Sequence, residues 1–193
     1  MKTTTKTHSS HRDGKIALRL DALAGIETPV ILDAFSADGD LWRTITASIE
    51  RPSKVVRIEK EKGRRGFYLQ GDNLKWMRGM DLSVFDIIDL DAYGNCYWQI
   101  EELKRQGYCG TVICTWIVSI MKPTLMEVMR VIGMGPEMLK AAPTLCAELS
   151  PEAVFAYIEK TGVNQIKQVR QSEGDQKKRG FQRLYFSFKM NTL

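Results

Sequence analysis

Apolar runs that end in polar or small residues alternate along the chain with segments of helical character. Runs rich in Val and Ile, bounded in this way, predict buried parallel strands. Strands that alternate with helices favour an α/β fold built on a doubly wound parallel sheet. Five such strands are predicted: one that begins at Val30 and ends at Asp33, then Lys54–Glu59, Phe67–Gln70, Ser83–Asp89 and Gly110–Ser119.

Helical segments fill the intervals between these strands. The first is predicted over Lys15–Ile26, with Asp13 as its cap and Gly25 at its end. Pro123 and Pro136 bracket a methionine-rich helix whose methionines are expected to fill the core rather than to form a recognition surface. Ser150 is the predicted N-cap of a later helix. The other predicted helices cover about Asp40–Ser48, Leu74–Met77, Gln99–Gln106 and Pro151–Lys160.

The last part of the chain alternates between apolar and polar residues. Gln165–Arg170 and Gln182–Lys189 have the period of strands, and the polar segment Ser172–Gly180 separates them. This pattern predicts an antiparallel hairpin that closes the sheet, with the polar segment at its tip.

Composition agrees with one globular domain over residues 15–193, preceded by a flexible polar tail over residues 1–14. The net charge of +5 permits an anionic partner such as RNA or DNA. The longest apolar run is too short to span a bilayer and the start of the chain is unlike a signal peptide, so a cytoplasmic protein without a membrane partner is expected. The four cysteines have no metal-ligand spacing and are predicted to be free thiols, with no metal site.

The segment Val30–Trp42, VILDAFSADGDLW, has the pattern of a strand, a tight turn and a helix start. Free backbone N–H groups at such a turn can hold a nucleotide cofactor, and a glycine lets the main chain approach it closely. The alternative is an ordinary strand and helix. Glu59 lies 20 residues beyond Gly39. That spacing puts a carboxylate at the tip of the second strand, where it could accept both ribose hydroxyls; a surface glutamate is the alternative.

In order, the chain carries the segments DAFSADG, VVRIEK, QGDNLKWM and FDIIDLDAYGN, followed by a buried strand and a hairpin. In order and spacing, this set resembles the class I S-adenosylmethionine-dependent methyltransferases. The resemblance covers nearly the whole chain after the tail and implies a Rossmann-like sheet of seven strands with a C-terminal antiparallel hairpin. It also implies S-adenosylmethionine as the cofactor. Its methionine end would contact Asp33, Ala37 and Gly39, its ribose Glu59, and its adenine Asp72 and Asn73.

The element Asp89-Leu90-Asp91-Ala92-Tyr93-Gly94 is similar to the D-x-D-P-[YF]-G element of the tRNA guanine-N2 dimethyltransferases. An exocyclic base amine is a poor nucleophile, and hydrogen bonds from its N–H groups would turn its lone pair toward the methyl donor. The resemblance implies that Asp91 and the carbonyl of Ala92 accept these bonds. Tyr93 would stack on the base, and Asp89 would support the turn or contact the cofactor.

Two residues differ from the family pattern: Ala37 replaces the first glycine of G-x-G, and Ala92 replaces the proline. An alanine restricts the turn, and the loss of proline leaves the carbonyl less preorganised. Three functions therefore stay open. The first is methyl transfer to an exocyclic amine of a nucleic-acid base, the second is methyl transfer to a small molecule or a protein, and the third is a non-catalytic module on the same fold.

Overall fold

The computed structural model describes residues 12–119, 123–169 and 181–191, and its strands form one mixed sheet with seven members in the described residues. The strands are β1 (Val30–Asp33), β2 (Lys54–Glu59), β3 (Leu69–Gln70), β4 (Ile87–Asp91), β5 (Gly110–Ser119), β6 (Val163–Val169) and β7 (Phe181–Met190). Their order is β3-β2-β1-β4-β5-β7-β6. The first five run parallel, and β7 lies antiparallel between β5 and β6. The predicted α/β sheet with its C-terminal antiparallel hairpin is confirmed.

Helices cover both faces of this sheet. They are α1 (Arg12–Ala22), α2 (Asp40–Ser48), α3 (Asn73–Gly79), α4 (Tyr97–Arg105), α5 (Met126–Met129), α6 (Pro136–Ala141), α7 (Pro143–Glu148) and α8 (Ser150–Glu159). On one face, Leu18 of α1, Leu23 just after it, and Trp42 and Ile45 of α2 pack against Ile31, Ile87 and Ile113. The opposite face carries the larger apolar core, to which α3, α4, α5, α7 and α8 contribute.

Because successive strand residues point to opposite faces, β4 divides its side chains between the two cores. Ile88 and Leu90 enter the larger core, whereas Ile87 packs toward α1 and α2. Asp89 and Asp91 share the face of Ile87, so two acids project beneath α1 rather than into solvent.

Several predicted bounds agree with the structure and others move. The bounds of α2, β2 and β5 are as predicted, whereas β4 begins four residues later than predicted and ends at Asp91. The predicted start of that strand is a 3-10 turn over Leu82–Val84, which the Asp81 carboxylate caps by accepting from the Ser83 N–H. Asp91 is therefore the last residue of the strand and not part of the following loop.

The region after β5 is more broken than predicted. Instead of one helix between Pro123 and Pro136, a short α5 continues into a 3-10 turn over Arg130–Ile132. Met129 and Met134 are buried as predicted, but Met138 is exposed. Met121 and the predicted hairpin tip Ser172–Gly180 lie outside the described residues, as does most of the predicted tail.

Three local predictions are wrong. Ser150 is not an N-cap, because its hydroxyl donates to the Cys146 carbonyl and accepts from the Thr124 N–H. Asp13 lies within the first turn of α1 instead of capping it, since the helix begins at Arg12. Cys96 and Cys114 are not free thiols but pair as a disulfide, whereas Cys146 is a buried free thiol.

None of the described helices is long and apolar enough to cross a membrane.

Candidate active site

Three carboxylates meet where β1 and β4 end, and we call Asp33, Asp89 and Asp91 the acidic cluster. Asp33 is the register partner of Asp89 in the parallel pair β1–β4, and Asp91 follows two residues along the same face. The Ala34 N–H also donates to the Asp89 carbonyl at 3.0 Å, which ties the end of β1 to β4. Sheet pairing thus brings together side chains that are more than 50 residues apart in the chain.

Two cations from α1 neutralise part of this charge. Arg19 Nε lies 2.7 Å from Asp89 Oδ2, and both side chains are buried. Trp42 Nε1 donates to the same oxygen at 2.6 Å. Lys15, one helical turn before Arg19, places its Nζ 2.7 Å from Asp91 Oδ1 and 2.6 Å from Oδ2. The helix therefore covers the cluster with charged side chains and not only with apolar ones.

The carboxylate of Asp91 has its acceptor positions filled. Besides Lys15, Oδ1 accepts from the Thr115 hydroxyl at 2.6 Å, and Oδ2 faces Arg19 Nη2 at 3.4 Å. An ionised carboxylate offers about four lone-pair positions. Burial alone would raise the pKa of Asp91, but the charges of Lys15 and Arg19, with the hydrogen bonds from Lys15 and Thr115, lower it. Asp91 is therefore ionised, and a further donor must share or replace one of these contacts.

Asp33 and Asp89 are less well compensated. Burial and the negative charge of Asp89 raise the pKa of Asp33 well above its usual value, against the opposing charges of Arg19 and Arg57. Burial also raises the pKa of Asp89, and the ion pair with Arg19 offsets only part of this effect. Asp89 Oδ1 is buried and has no hydrogen-bond partner among the described residues. A buried, unpartnered acceptor costs free energy and commonly marks a binding or catalytic site.

The segment Phe35–Gly39, which we call the glycine turn, joins β1 to α2. Gly39 precedes α2 with φ +69°, and Ala37 has φ +45°, which glycine adopts more readily than alanine. Alanine thus takes the left-handed conformation that a glycine would normally supply. The Ser36 hydroxyl oxygen is buried and unpartnered within the described part of the chain.

Glu59, the predicted ribose ligand, lies against the glycine turn. Its Oε2 accepts from the Ala37 N–H at 2.8 Å, and its Oε1 accepts from the Glu61 N–H at 2.9 Å. Each oxygen keeps a lone pair for another donor. The carboxylate therefore holds the strained turn in place, a structural role that the spacing in the sequence did not predict.

The predicted adenine ligands lie at the start of α3, and both have structural partners. Asp72 is the N-cap of α3 and accepts from the Lys75 N–H at 3.0 Å. Asn73 donates from Nδ2 to the Ala34 carbonyl and accepts at Oδ1 from Gln99 Nε2. These contacts join the start of α3 to the end of β1 and to α4.

The segment after Asp91 presents an aromatic ring to solvent. Ala92 is buried, whereas the Tyr93 side chain is 80% exposed. Gly94 has φ +146°, and its carbonyl accepts from the Ile117 N–H, which anchors the segment to β5. The disulfide between Cys96 and Cys114 makes a second link from this segment to β5. A fixed backbone and a free ring are suited to stacking against a flat ligand.

Four members of the site were not predicted from the sequence: Lys15, Arg19, Trp42 and Thr115. A usable signal was present in α1, where Lys15 and Arg19 stand four residues apart on a helix whose Leu18 faces the core. Residues four apart lie on one face of a helix. Two cations beside a buried residue predict that acids lie beneath that face.

The fold is that of class I methyltransferases. A class I S-adenosylmethionine-dependent methyltransferase candidate from Listeria monocytogenes aligns with 96% of this chain at a TM-score of 0.54 and 14% identity. This chain covers 61% of the length of that protein. A methylase candidate from Haemophilus influenzae aligns with 94% of this chain at a TM-score of 0.55 and 12% identity, over 99% of its own length.

TYW2 from P. horikoshii, solved in complex with MeSAdo, has a TM-score of 0.53 and 11% identity over 98% of this chain and 66% of its own. Comparison of the sequence with family models and with curated proteins finds no match. At these sequence identities, the property that the proteins share is the fold alone.

Proposed function

We propose that this protein binds S-adenosylmethionine at the edge formed by β1, β2 and β4 and transfers its methyl group to an amino group, with a nucleic-acid base as the acceptor. The observation that carries the proposal is the acidic cluster at the ends of β1 and β4, where three carboxylates face the two cations Lys15 and Arg19. The choice of a base amine rests on the resemblance of the Asp89–Gly94 element, and the net positive charge agrees with it.

The charges of the acidic cluster fit a cationic ligand. Three carboxylates face two cations, Lys15 and Arg19, so the cluster in its fully ionised form has one negative charge in excess. Burial, and after it the negative charge of Asp89, raises the pKa of Asp33. S-adenosylmethionine carries an α-ammonium and a sulfonium, and either cation near Asp33 and Asp89 would remove the excess.

Residues of three strand ends would hold the cofactor. The glycine turn and Asp33 would contact its methionine end, and Glu59 would accept hydrogen bonds from its ribose with the lone pairs that Ala37 and Glu61 leave free. Asp72 and Asn73 stand at the start of α3 for the adenine. When bound, the cofactor supplies an activated methyl group on its sulfonium.

Asp91 is the proposed acceptor of the substrate amine. Its side chain is 20% exposed, whereas that of Asp89 is 1% exposed, so an amine from solvent can reach only the former. Hydrogen bonds from the amine to Asp91 and to the Ala92 carbonyl would orient its lone pair, and the exposed Tyr93 ring would stack on the base. Since Lys15 contacts both oxygens of Asp91, the amine has to share one of these oxygens with Lys15 or replace Lys15 there.

The same contact favours a second candidate function. If Lys15 never leaves Asp91, the carboxylate has only a structural role and the protein is a non-catalytic module that binds a nucleotide-like ligand. The variant Lys15→Met separates the two candidates, because it frees Asp91 while Arg19 and Thr115 still hold it. For an enzyme we expect the apparent KM for the acceptor to fall severalfold, whereas Lys15→Arg keeps the contact and serves as control.

Calorimetric titration with S-adenosylmethionine and S-adenosylhomocysteine tests the proposal first. Micromolar binding supports the cofactor site, and absence of binding at millimolar ligand contradicts it. Transfer of a labelled methyl group to total RNA or to DNA then tests the acceptor. Labelling of neither, despite cofactor binding, would contradict the choice of a nucleic-acid base.

A further inference from the structure

A cleft of about 390 Å³ opens between α2, β2 and the loop that follows β2, on the face of the sheet that α1 and α2 cover. Arg43, Arg57 and Arg65 line it around a floor that includes Trp42 and Val55, and no carboxylate is among its lining residues. We call it the arginine cleft. Three guanidinium groups around one cavity repel one another, so an arrangement of this kind favours an anionic ligand.

The guanidinium of Arg57 is held in place in the arginine cleft by its neighbours. It lies between two glycines: a Cβ on Gly39 would stand 2.4 Å from its Cζ, and one on Gly66 would stand 3.3 Å from its Nη1. Nη2 donates to the Ala37 carbonyl at 3.0 Å and Nη1 to the Arg65 carbonyl at 2.8 Å. These bonds orient the group before any ligand arrives, which lowers the entropic cost of binding.

The positive charge of Arg57 is not neutralised by these contacts, because both acceptors are neutral carbonyls. Its Nε is buried without a partner among the described residues. Arg65 likewise has no ion pair with any described carboxylate, whereas Arg43 pairs with Asp40. Two arginines of the cleft therefore keep a full charge.

We infer that the arginine cleft binds a phosphate group of the nucleic-acid acceptor. Guanidinium groups match phosphate oxygens with paired N–H donors, and Arg57 and Arg65 retain donors for such bonds. S-adenosylmethionine has no phosphate, so the proposed cofactor does not explain these arginines. The inference rests on the proposed function for the identity of the acceptor, whereas the phosphate chemistry rests on the cleft alone.

The position of the cleft suits this role. Arg57 contacts the carbonyl of Ala37, so the cleft borders the glycine turn that leads from Asp33. A phosphate held there would fix the backbone of a nucleic acid beside the glycine turn without reading its bases. The phosphate of a free mononucleotide has the same chemistry, and the experiment distinguishes these two sources.

The test compares Arg65→Gln with Arg130→Gln. No described contact of the Arg65 side chain would be lost, and its backbone carbonyl still accepts from Arg57. Arg130 is an exposed arginine of the 3-10 turn after α5, outside the cleft, so its variant removes the same charge elsewhere. The probes are a fluorescein-labelled single-stranded RNA of mixed sequence, adenosine monophosphate and inorganic phosphate. Binding is measured by fluorescence polarisation and calorimetry at several salt concentrations.

For the RNA we expect Arg65→Gln to weaken binding by about three- to tenfold and to reduce the slope of log K against log salt by about one. Arg130→Gln should change both by less. Loss of mononucleotide and phosphate binding with unchanged RNA binding would support a phosphate site for a free nucleotide. Equal behaviour of the two variants toward every probe would overturn the inference.

Binding of S-adenosylhomocysteine by Arg65→Gln keeps this test separate from the proposed function. If Arg65→Gln and the parent protein bind S-adenosylhomocysteine equally, a change in RNA binding reports on the cleft. If the parent protein fails to bind S-adenosylhomocysteine, the cofactor proposal fails, and the phosphate titrations still decide the cleft.

Discussion

The two faces of the sheet are built from alternate residues of the same strands, yet they differ in kind. Toward α4 and α8, β4 presents Ile88 and Leu90 to a core of buried apolar side chains. Toward α1, the same strand presents Asp89 and Asp91, which need Arg19, Lys15, Trp42 and Thr115 as partners. One face carries the apolar side chains expected of a buried strand, whereas the other carries acids where the strand ends.

This difference indicates which face has been shaped by function. Burial of apolar side chains stabilises the fold, whereas buried ion pairs contribute little net stability compared with apolar residues of the same size. A chain that needed only a stable sheet would carry apolar residues at positions 33, 89 and 91. Polar residues at core positions that come together at the ends of neighbouring strands are expected of a functional site.

The largest expected effect follows from removal of Arg19. Arg19→Leu would leave Asp89 buried without its cation, and loss of one partner of a buried pair costs about 3–5 kcal/mol in the free energy of unfolding. Urea denaturation measures it. The double variant Arg19→Leu/Asp89→Leu should recover most of the loss, because it makes this face resemble the other. If Arg19→Leu alone were as stable as the parent protein, the buried ion pair would not distinguish this face from the apolar one.

Next in size is the effect of Asp91→Ala on catalysis. If Asp91 accepts the substrate amine, loss of its carboxylate should reduce methyl transfer by about 10²- to 10³-fold. Affinity for S-adenosylhomocysteine should stay within a few-fold, since the cofactor is assigned to other residues. Transfer of labelled methyl groups and calorimetry measure the two quantities, and full retained activity would exclude Asp91 from the reaction.

Glu59→Ala should act on the cofactor instead. The substitution removes both the proposed ribose contact and the acceptor of the Ala37 N–H, so we expect affinity for S-adenosylhomocysteine to fall by about tenfold, the cost of roughly one or two hydrogen bonds. Glu59→Gln, which keeps a carbonyl acceptor, should lose less. Unchanged affinity in the alanine variant would contradict the ribose assignment.

The smallest expected effect is the release of a proton when the cofactor binds. This release tests the charge excess of the acidic cluster. Because burial and the negative charge of Asp89 raise the pKa of Asp33 well above its usual value, the free protein holds a proton there at pH values at which an exposed aspartate is ionised. A bound cation lowers that pKa, so binding of S-adenosylmethionine should release up to about one proton and strengthen as pH rises through the raised pKa. Calorimetry in buffers of different ionisation enthalpy counts the proton. In Asp33→Asn the release should vanish.

The sequence predicted the strands whose apolar runs are continuous, such as β2 and β5, at their observed bounds. It misplaced β4 because Ser83 and Val84 look like strand residues, whereas the Asp81 side chain holds them in a 3-10 turn. Both acids of the Asp89–Gly94 element were named from the sequence as candidate site residues, and they lie in the acidic cluster. Their partners on α1 were not, because Lys15 lies 76 residues from Asp91 and only the folded sheet brings them together.

The insertion of β7 between β5 and β6 has a consequence for biosynthesis. All ten residues of β5 pair with β7, which begins about 60 residues later in the chain and is therefore made after it. Until residues 181–190 leave the ribosome, the open edge of β5 is a row of free N–H and C=O groups on an apolar strand, which is prone to pair with other chains. The nascent protein therefore depends on residues 181–190, or on a chaperone, to protect that edge from aggregation.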